Sequence, residues 1–335
     1  MSYLKNSMLK ALYPWQDSVW QQVCGQLRTN RLPHAMLISG VKGLAKNSLA
    51  EHIVAAVLCL ERREDQSACG HCHSCQLLTA GSHPDHIDIR PDEAGKQIKI
   101  EQIRSLRDKQ QLTPSVSKWK TIVISPAENM NVSSSNSLLK LLEEPQQNTI
   151  LILLTSRPER LPITIRSRCQ NYHLTSPDSE QALAWLTSNA KHNVDSEMLN
   201  NFVQLAKGAP LAVVDMLNEG MSEQYQQVEQ DFRLILQNKA NPLLLSASWA
   251  KYDLHTVLNQ IQYFIKERLS EFLLNSTNET IHQLQYSVYW KISDCIMHTI
   301  KLTSSQTNVN NTLLIEDFVV SVMRITNSKT INQSI

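Results

Sequence analysis

Glycine is scarce in this chain: 8 among 335 residues, about a third of the usual share. Few tight turns and a helix-rich chain follow from that. Charge of one sign is also missing. The 32 Lys and Arg stand against 31 Asp and Glu, for a net charge of +1. Such a balance leaves no basic body or tail of the kind that grips nucleic-acid phosphates unaided. No apolar run approaches the ~18 residues that a membrane span requires; Ile53–Leu60 and Ile150–Leu154 are the longest. Met1–Trp20 mixes Lys5, Lys10 and Asp17 with apolar positions and lacks a secretory core and cleavage site. These absences imply a cytoplasmic location with no membrane segment. In a reducing compartment the seven cysteines are to be read for metal, catalysis or packing rather than disulfides.

What is present suits a soluble globular protein. Apolar residues make up 42% and charged residues 19%, which excludes disorder, and the length exceeds one ordinary domain. Over residues 1–175 strand and helix signals alternate. Ala35–Ser39, Thr121–Ile124 and Ile150–Thr155 are continuous apolar runs of the kind buried in parallel sheets, with weaker strands at Asp88–Arg90 and Asn171–Leu174. Lys46–Leu60, Ile100–Lys109 and Asn136–Glu144 read as helices, the last stopped by Pro145. After Leu174 the strands cease. Ser176-Pro177 opens a helix through Trp185, Ser196–Ala206 forms another, and every strong pattern from Glu219 onward is helical: Gln224–Gln237, Leu254–Leu274, Tyr286–Leu302 and Thr312–Met323. Asn275–Glu279 and Ser304–Asn311 read as loops. The expected fold is a parallel α/β domain over 1–175, a small helical domain over 176–217 and an all-α bundle over 218–335.

Gly40-Val41-Lys42-Gly43-Leu44-Ala45-Lys46-Asn47 follows a strand and opens a helix, the setting of a phosphate-binding loop. Gly40, Gly43 and Lys46 keep part of the pattern. Ala45 stands where glycine lets backbone N–H groups approach phosphate, and Asn47 replaces the hydroxyl that would hold Mg²⁺. The next central strand ends in Ser125-Pro126 instead of an acidic pair, so metal and water lose their second anchor. Two catalytic elements fail together, which argues against hydrolysis and leaves a silent βα turn or weak nucleotide binding as the open readings.

Cys59, Cys69, Cys72 and Cys75 are spaced C-x9-C-x2-C-x2-C. Two-residue gaps let successive thiolates turn toward one ion, and Cys59 at the end of a helix can complete a tetrahedral Zn²⁺ site. A closed four-thiolate site has no open position, so its role is structural; His71 and His73 are alternative ligands, and redox cysteines the competing reading. Cys24, Cys169 and Cys295 read as small buried hydrophobes. Trp15, Trp20 and Trp119 read as packing anchors, and Ser133-Ser134-Ser135 as a loop opening a helix. Glu143-Glu144, near a helix C-terminus, suits either a solvated face or a partner contact.

Several stretches together carry a resemblance. They are Tyr13-Pro14-Trp15, Arg31–Gly40 (RLPHAMLISG), the four-cysteine module and Cys75–Asp85 (CQLLTAGSHPD). Asn136–Pro145 (NSLLKLLEEP), Thr155–Glu159 (TSRPE), Ile165–Cys169 (IRSRC) and the sparser Ala206–Pro210 (AKGAP) complete the set. In them the chain resembles the delta-prime subunits of bacterial DNA polymerase III clamp loaders, a branch of the AAA+ proteins. The resemblance is dense over about residues 13–175 and rests on helical character alone in the last third. It implies an AAA+ α/β domain with a zinc module at 59–75, a helical lid at 176–217 and a collar domain at 218–335. It implies a non-hydrolysing stator in the polymerase holoenzyme. Its partners would be the gamma/tau and delta subunits and, through the complex, the sliding clamp and primed DNA. Leu211 stands near where an active subunit carries a lid arginine. The SRC match implies that Arg168 is an arginine finger acting in trans on ATP held by a gamma/tau neighbour, with Arg166 outside the motif. The enzymatic alternative is an active ATPase of gamma/tau type.

Overall fold

The computed structural model describes residues 11–93, 95–110, 113–190, 194–274, 279–304 and 310–327. The segment Met1–Lys10 and most of the expected loops at Asn275–Glu279 and Ser304–Asn311 lie outside these residues. Two compact units emerge, one of Met1–Lys191 with Ala206–Val214, the other of His192–Leu205 with Asp215–Ile335. The stretch 176–217 is therefore shared between them.

The first unit is built on a parallel sheet of five strands in the order β2-β3-β4-β1-β5. Its strands are β1 (Ala35–Ser39), β2 (His86–Ile89), β3 (Lys120–Ile124), β4 (Thr149–Thr155) and β5 (Gln170–His173). The three inner strands are buried along their whole length, which is why they read as unbroken apolar runs with no alternation. The edge strands HIDI and QNYH carry polar residues, the usual treatment of a sheet edge and the reason their signals are weak.

Helices α1 (Asp17–Arg28), α2 (Lys46–Leu58), α3 (His73–Ala80), α4 (Ile100–Gln110), α5 (Val132–Glu143), α6 (Ile163–Arg166) and α7 (Ser179–Asn189) accompany the sheet. One core packs Val19, Trp20, Ile53 and Leu58 against Met36, Ile38, Ile152 and Tyr172; the other packs Ile103, Leu106 and Leu138 against Leu37, Ile122 and Leu153. Alternate residues of β1 and β4 thus face opposite cores.

Two helix starts differ from the sequence expectation. Asn131 accepts the Ser134 N–H at 2.8 Å and caps α5, so Ser133–Ser135 fall in the first turn of that helix and not in a loop. Asp178 caps α7 by accepting from Gln181 at 2.7 Å, which moves that start past Ser176-Pro177. The short α3 lacks the length that would have marked it, whereas α1 went unread although Val19, Trp20, Val23 and Cys24 recur on one buried face at helical spacing.

The second unit is helical: α8 (Ser196–Leu205), α10 (Met221–Leu236), α11 (Pro242–Trp249), α12 (Leu254–Leu274), α13 (Glu279–Ser304) and α14 (Asn311–Asn327); α9 (Pro210–Asn218) begins in the first unit. Its core includes Val228, Phe232, Trp249, Ile261, Ile292, Ile296 and Phe318. Buried Asp231 accepts from Trp249 Nε1 at 2.8 Å and from Gln227 Nε2 at 2.9 Å, which pairs both of its carboxylate oxygens inside the bundle. Phe202 of α8 meets the Tyr225 ring edge-on at 5.4 Å, and Tyr263 donates to Asn201 at 3.0 Å. Helix α8 thus belongs with the helices that follow it.

Candidate functional site

The loop between β1 and α2 is closed on itself. Lys46 Nζ donates to the carbonyls of Gly40 and Val41, each at 2.8 Å. Burial brings its ammonium down to about 8, against the opposing pull of Glu128. The neighbouring carbonyls are also taken. Trp15 Nε1 donates to Leu44 O at 3.1 Å, and Gln16 Nε2 donates to Leu44 O at 3.1 Å and Ala45 O at 2.9 Å. Trp15 itself stacks on Tyr13 at 5.0 Å and meets the Trp185 edge at 5.4 Å, so it is an anchor for the loop and not a platform for bases.

From the other side Leu211 N–H donates to Gly43 O at 3.3 Å. Gly43 has φ +92°, and a Cβ there would stand 2.5 Å from Ala212 N, so only glycine fits. Ala45 is left-handed at φ +56°, a conformation that costs a non-glycine residue about 1–2 kcal/mol. A phosphate cradle needs inward-facing N–H groups and a free lysine. Here the lysine and the surrounding donors serve loop carbonyls.

The metal side of the site is equally altered. Ser125 Oγ donates to Asn47 Oδ1 at 3.0 Å. Glu128, the first carboxylate after β3, accepts the Ser156 N–H on Oε1 at 3.0 Å, while its buried Oε2 has no hydrogen-bond partner.

The four cysteines come together as one buried cluster, with Cys59 at the end of α2 and Cys72 at the start of α3. Their sulfur atoms lie within 4.8 Å of one another. The pairs Cys59–Cys72 and Cys69–Cys75 are both 3.9 Å apart. That is far beyond a disulfide and close to the ~3.8 Å edge of a sulfur tetrahedron around zinc with bonds of about 2.3 Å. The backbone N–H groups of Cys69 and Cys72 donate to Cys59 and Cys69 sulfur at 3.3 Å, favouring thiolates. Burial pushes the Cys75 thiol up; at Cys72 burial is outweighed by N–H groups of Cys75 and Leu60, leaving its thiol at about 6. Outside the tetrahedron, His71 faces Glu61 at 3.8 Å. The donor set fits a metal ion.

Arg168 lies just beyond α6. Its NH1 donates to Thr164 O at 3.0 Å and its NH2 meets Glu143 Oε1 at 2.8 Å. The side chain remains 38% exposed.

One constellation went unread in the sequence. Asp85, buried before β2, accepts the N–H groups of Ser115, Val116 and Ser117 at 2.7–2.8 Å. His83 Nδ1 accepts the Asp85 N–H at 3.0 Å, which leaves Nε2 to donate to Ser74 Oγ at 2.9 Å. Ser74 and Ser117 both donate to Leu58 O at 2.7 Å. Neither serine is activated by a base; the group clips α2, the cysteine module and β2 together. The run Ser82-His83-Pro84-Asp85 was its only local signal.

A parallel sheet with β4 inserted between β1 and β3, and a phosphate-type loop leading from β1 into α2, defines an AAA+ α/β domain followed by further helices. Residues 15–178 match the family described as DNA polymerase III, delta subunit. The DNA polymerase III subunit delta' of Pseudomonas aeruginosa is 37% identical over 238 residues, which is 71% of this chain and 71% of its own. That of Haemophilus influenzae is 30% identical over 260 residues, covering 78% and 73%. The subunit tau/gamma of Haemophilus influenzae is 32% identical over 218 residues, but these are 61% of this chain and only 30% of its own. The chain belongs to the delta-prime family of DNA polymerase III subunits.

Proposed function

We propose that this chain is the ATPase-silent delta-prime member of the DNA polymerase III clamp loader. It helps gamma/tau and delta subunits place the sliding clamp on primed DNA in the cytoplasm. The observation that carries the silence is Lys46 held by Gly40 and Val41. Residue by residue the alternative, an active gamma/tau-type ATPase, is opposed by Ala45, Asn47, Ser125 and Pro126. Among the described residues no helix is long and apolar enough to cross a membrane. The helices of 218–335 are assigned to the collar contacts, 176–217 to the lid, and 1–175 to the AAA+ domain.

Cys59, Cys69, Cys72 and Cys75 hold one Zn²⁺ in this reading. The ion supplies a cross-link and no reaction step, since four thiolates leave no position for water.

The domain contributes to its neighbour's chemistry through Arg168. Phosphoryl transfer spreads negative charge over the γ-phosphate oxygens, and a guanidinium brought from another subunit stabilises it, commonly by ~10³–10⁵ in rate. Arginine suits the task because its planar fork stays charged and donates two bonds at once. Support comes from its exposure and from its place in Ile165–Cys169.

Two measurements test the reading. The isolated chain should not turn over ATP in a phosphate-release assay; turnover that Lys46→Ala abolishes would overturn the silence. In a reconstituted loader, Arg168→Ala should lower clamp- and DNA-stimulated hydrolysis while gel filtration shows intact assembly, and Arg166→Ala should not. Wild-type hydrolysis by the Arg168 variant removes the finger.

A further inference from the structure

Glu143 is the last residue of α5, where the helix macrodipole is negative and a carboxylate is unfavourable. Its partner supplies the missing counter-charge: Arg168 NH2 lies 2.8 Å from Glu143 Oε1. The other terminal nitrogen, NH1, donates to Thr164 O at 3.0 Å. The guanidinium is therefore gripped from two directions, by the end of α5 and by the backbone of α6. Both ends of the grip are partly open to solvent, with Arg168 38% and Glu143 49% exposed. An arginine has five N–H donors, so two bonds leave most of the fork available. Thr164 also fixes the remaining rotation, because a guanidinium bound at two nitrogens can no longer spin about its own chain axis.

We propose that Glu143 is a positioning residue that aims Arg168 at a phosphate group bound by the adjoining subunit. This rests on the finger reading given above. An unpaired arginine samples many rotamers and must be immobilised at each turnover; one held by Glu143 and Thr164 is ordered beforehand. Glu143 touches no reacting atom. Its carboxylate neutralises part of the arginine charge only on the NH2 side and leaves the other donors for the anion. Glu144, next in sequence, has left helical geometry at φ −121° and ψ 68° and serves as the matched control.

The test uses the full chain in a loader reconstituted with gamma/tau and delta, with stimulated hydrolysis followed over a range of ATP concentrations. Glu143→Ala should lower kcat about threefold to tenfold, the scale expected for losing the ordering of one long side chain, with KM unchanged. Glu143→Gln keeps an oxygen acceptor and should fall less, and Glu144→Ala should match wild type. Added to Arg168→Ala, the Glu143→Ala change should cost nothing further, because its only route runs through the guanidinium. If Arg168→Ala is impaired while both Glu143 variants run at or above the wild-type rate, the positioning role is overturned and the finger survives. An additional loss in the double variant overturns it too, because Glu143 would then act by another path. If Arg168→Ala is itself without effect, both readings fall.

Discussion

Ser125 donates its hydroxyl hydrogen to Asn47 Oδ1 across 3.0 Å. In an active P-loop enzyme the first position carries the acid and the second the hydroxyl that share Mg²⁺. Here they satisfy each other. The silence proposed above thus corresponds to an internally bonded arrangement, joined to the closure of Lys46 on Gly40 and Val41.

Restoring the signature should consequently fail. The triple change Ala45→Gly, Asn47→Thr and Ser125→Asp is expected to leave ATP·Mg²⁺ binding undetectable by titration calorimetry, because Leu211 and Ala212 still crowd Gly43. Tight binding by the triple variant would show that the filled loop is no bar to nucleotide. The crowding has its own test. Gly43→Ala combines a disallowed φ of +92° with a Cβ 2.5 Å from backbone and should cost roughly 2–4 kcal/mol in urea unfolding.

Zinc content is the next expectation. Cys72→Ser should take the metal from one equivalent to nearly none by atomic absorption and lower the thermal midpoint of the first unit. The helices of the second unit should keep their circular dichroism, since Phe232, Trp249 and Ile292 form a core of their own. Unchanged zinc would remove Cys72 from the ligand set.

The clip at Asp85 sets an acid limit. Burial alone would raise this carboxyl, but the N–H groups of Ser117, Ser115 and Val116 outweigh burial and hold it below the ordinary range. A depressed carboxylate contributes stability above its unfolded pKa and loses it as pH falls through the folded value. Asp85→Ala should therefore cost roughly 2–4 kcal/mol near pH 7, with three donors left unpaired. The deficit should shrink on acidification, as read from urea midpoints at a series of pH values.

Glu51 and His86 oppose each other. They line one small hollow with Asp88 and Arg90. Burial raises Glu51 to about 7 despite Arg90, and burial lowers His86 to about 4 with help from His83 and Arg90. The Glu51 contribution to stability declines as pH rises from about 4.5 to 7; the His86 contribution declines as pH falls from about 6.5 to 4. Over the shared range the two slopes cancel in part. Glu51→Gln should expose the His86 slope, so that stability climbs with pH between about 4 and 6.5. A flat profile in that variant would show that His86 titrates normally.

The sequence by itself determined the parts whose signals are local. Met36–Ile38, Ile122–Ile124 and Ile150–Leu154 had to be strands buried on both faces, because unbroken apolar runs of that length suit little else. The spacing of Cys59, Cys69, Cys72 and Cys75 announced one cluster, since two-residue gaps place thiolates side by side. Ala45, Asn47 and Ser125 already argued against hydrolysis by identity alone.

Tertiary structure decided what depends on partners distant along the chain. Nothing near Lys46 said that its ammonium would turn back on Gly40 and Val41, or that Leu211 would bond to Gly43. Glu143 read more readily as a solvated helix end than as a contact until α6 carried Arg168 to it. Helix α8 read as part of the small helical domain at 176–217, and Phe202 against Tyr225 groups it with the C-terminal helices. The physical reason is common to these cases. Helical and extended periods, caps and metal spacings are written in neighbouring residues, whereas ion pairs, filled loops and helix allegiance are settled only when separate elements compete for the same donors and the same apolar surface.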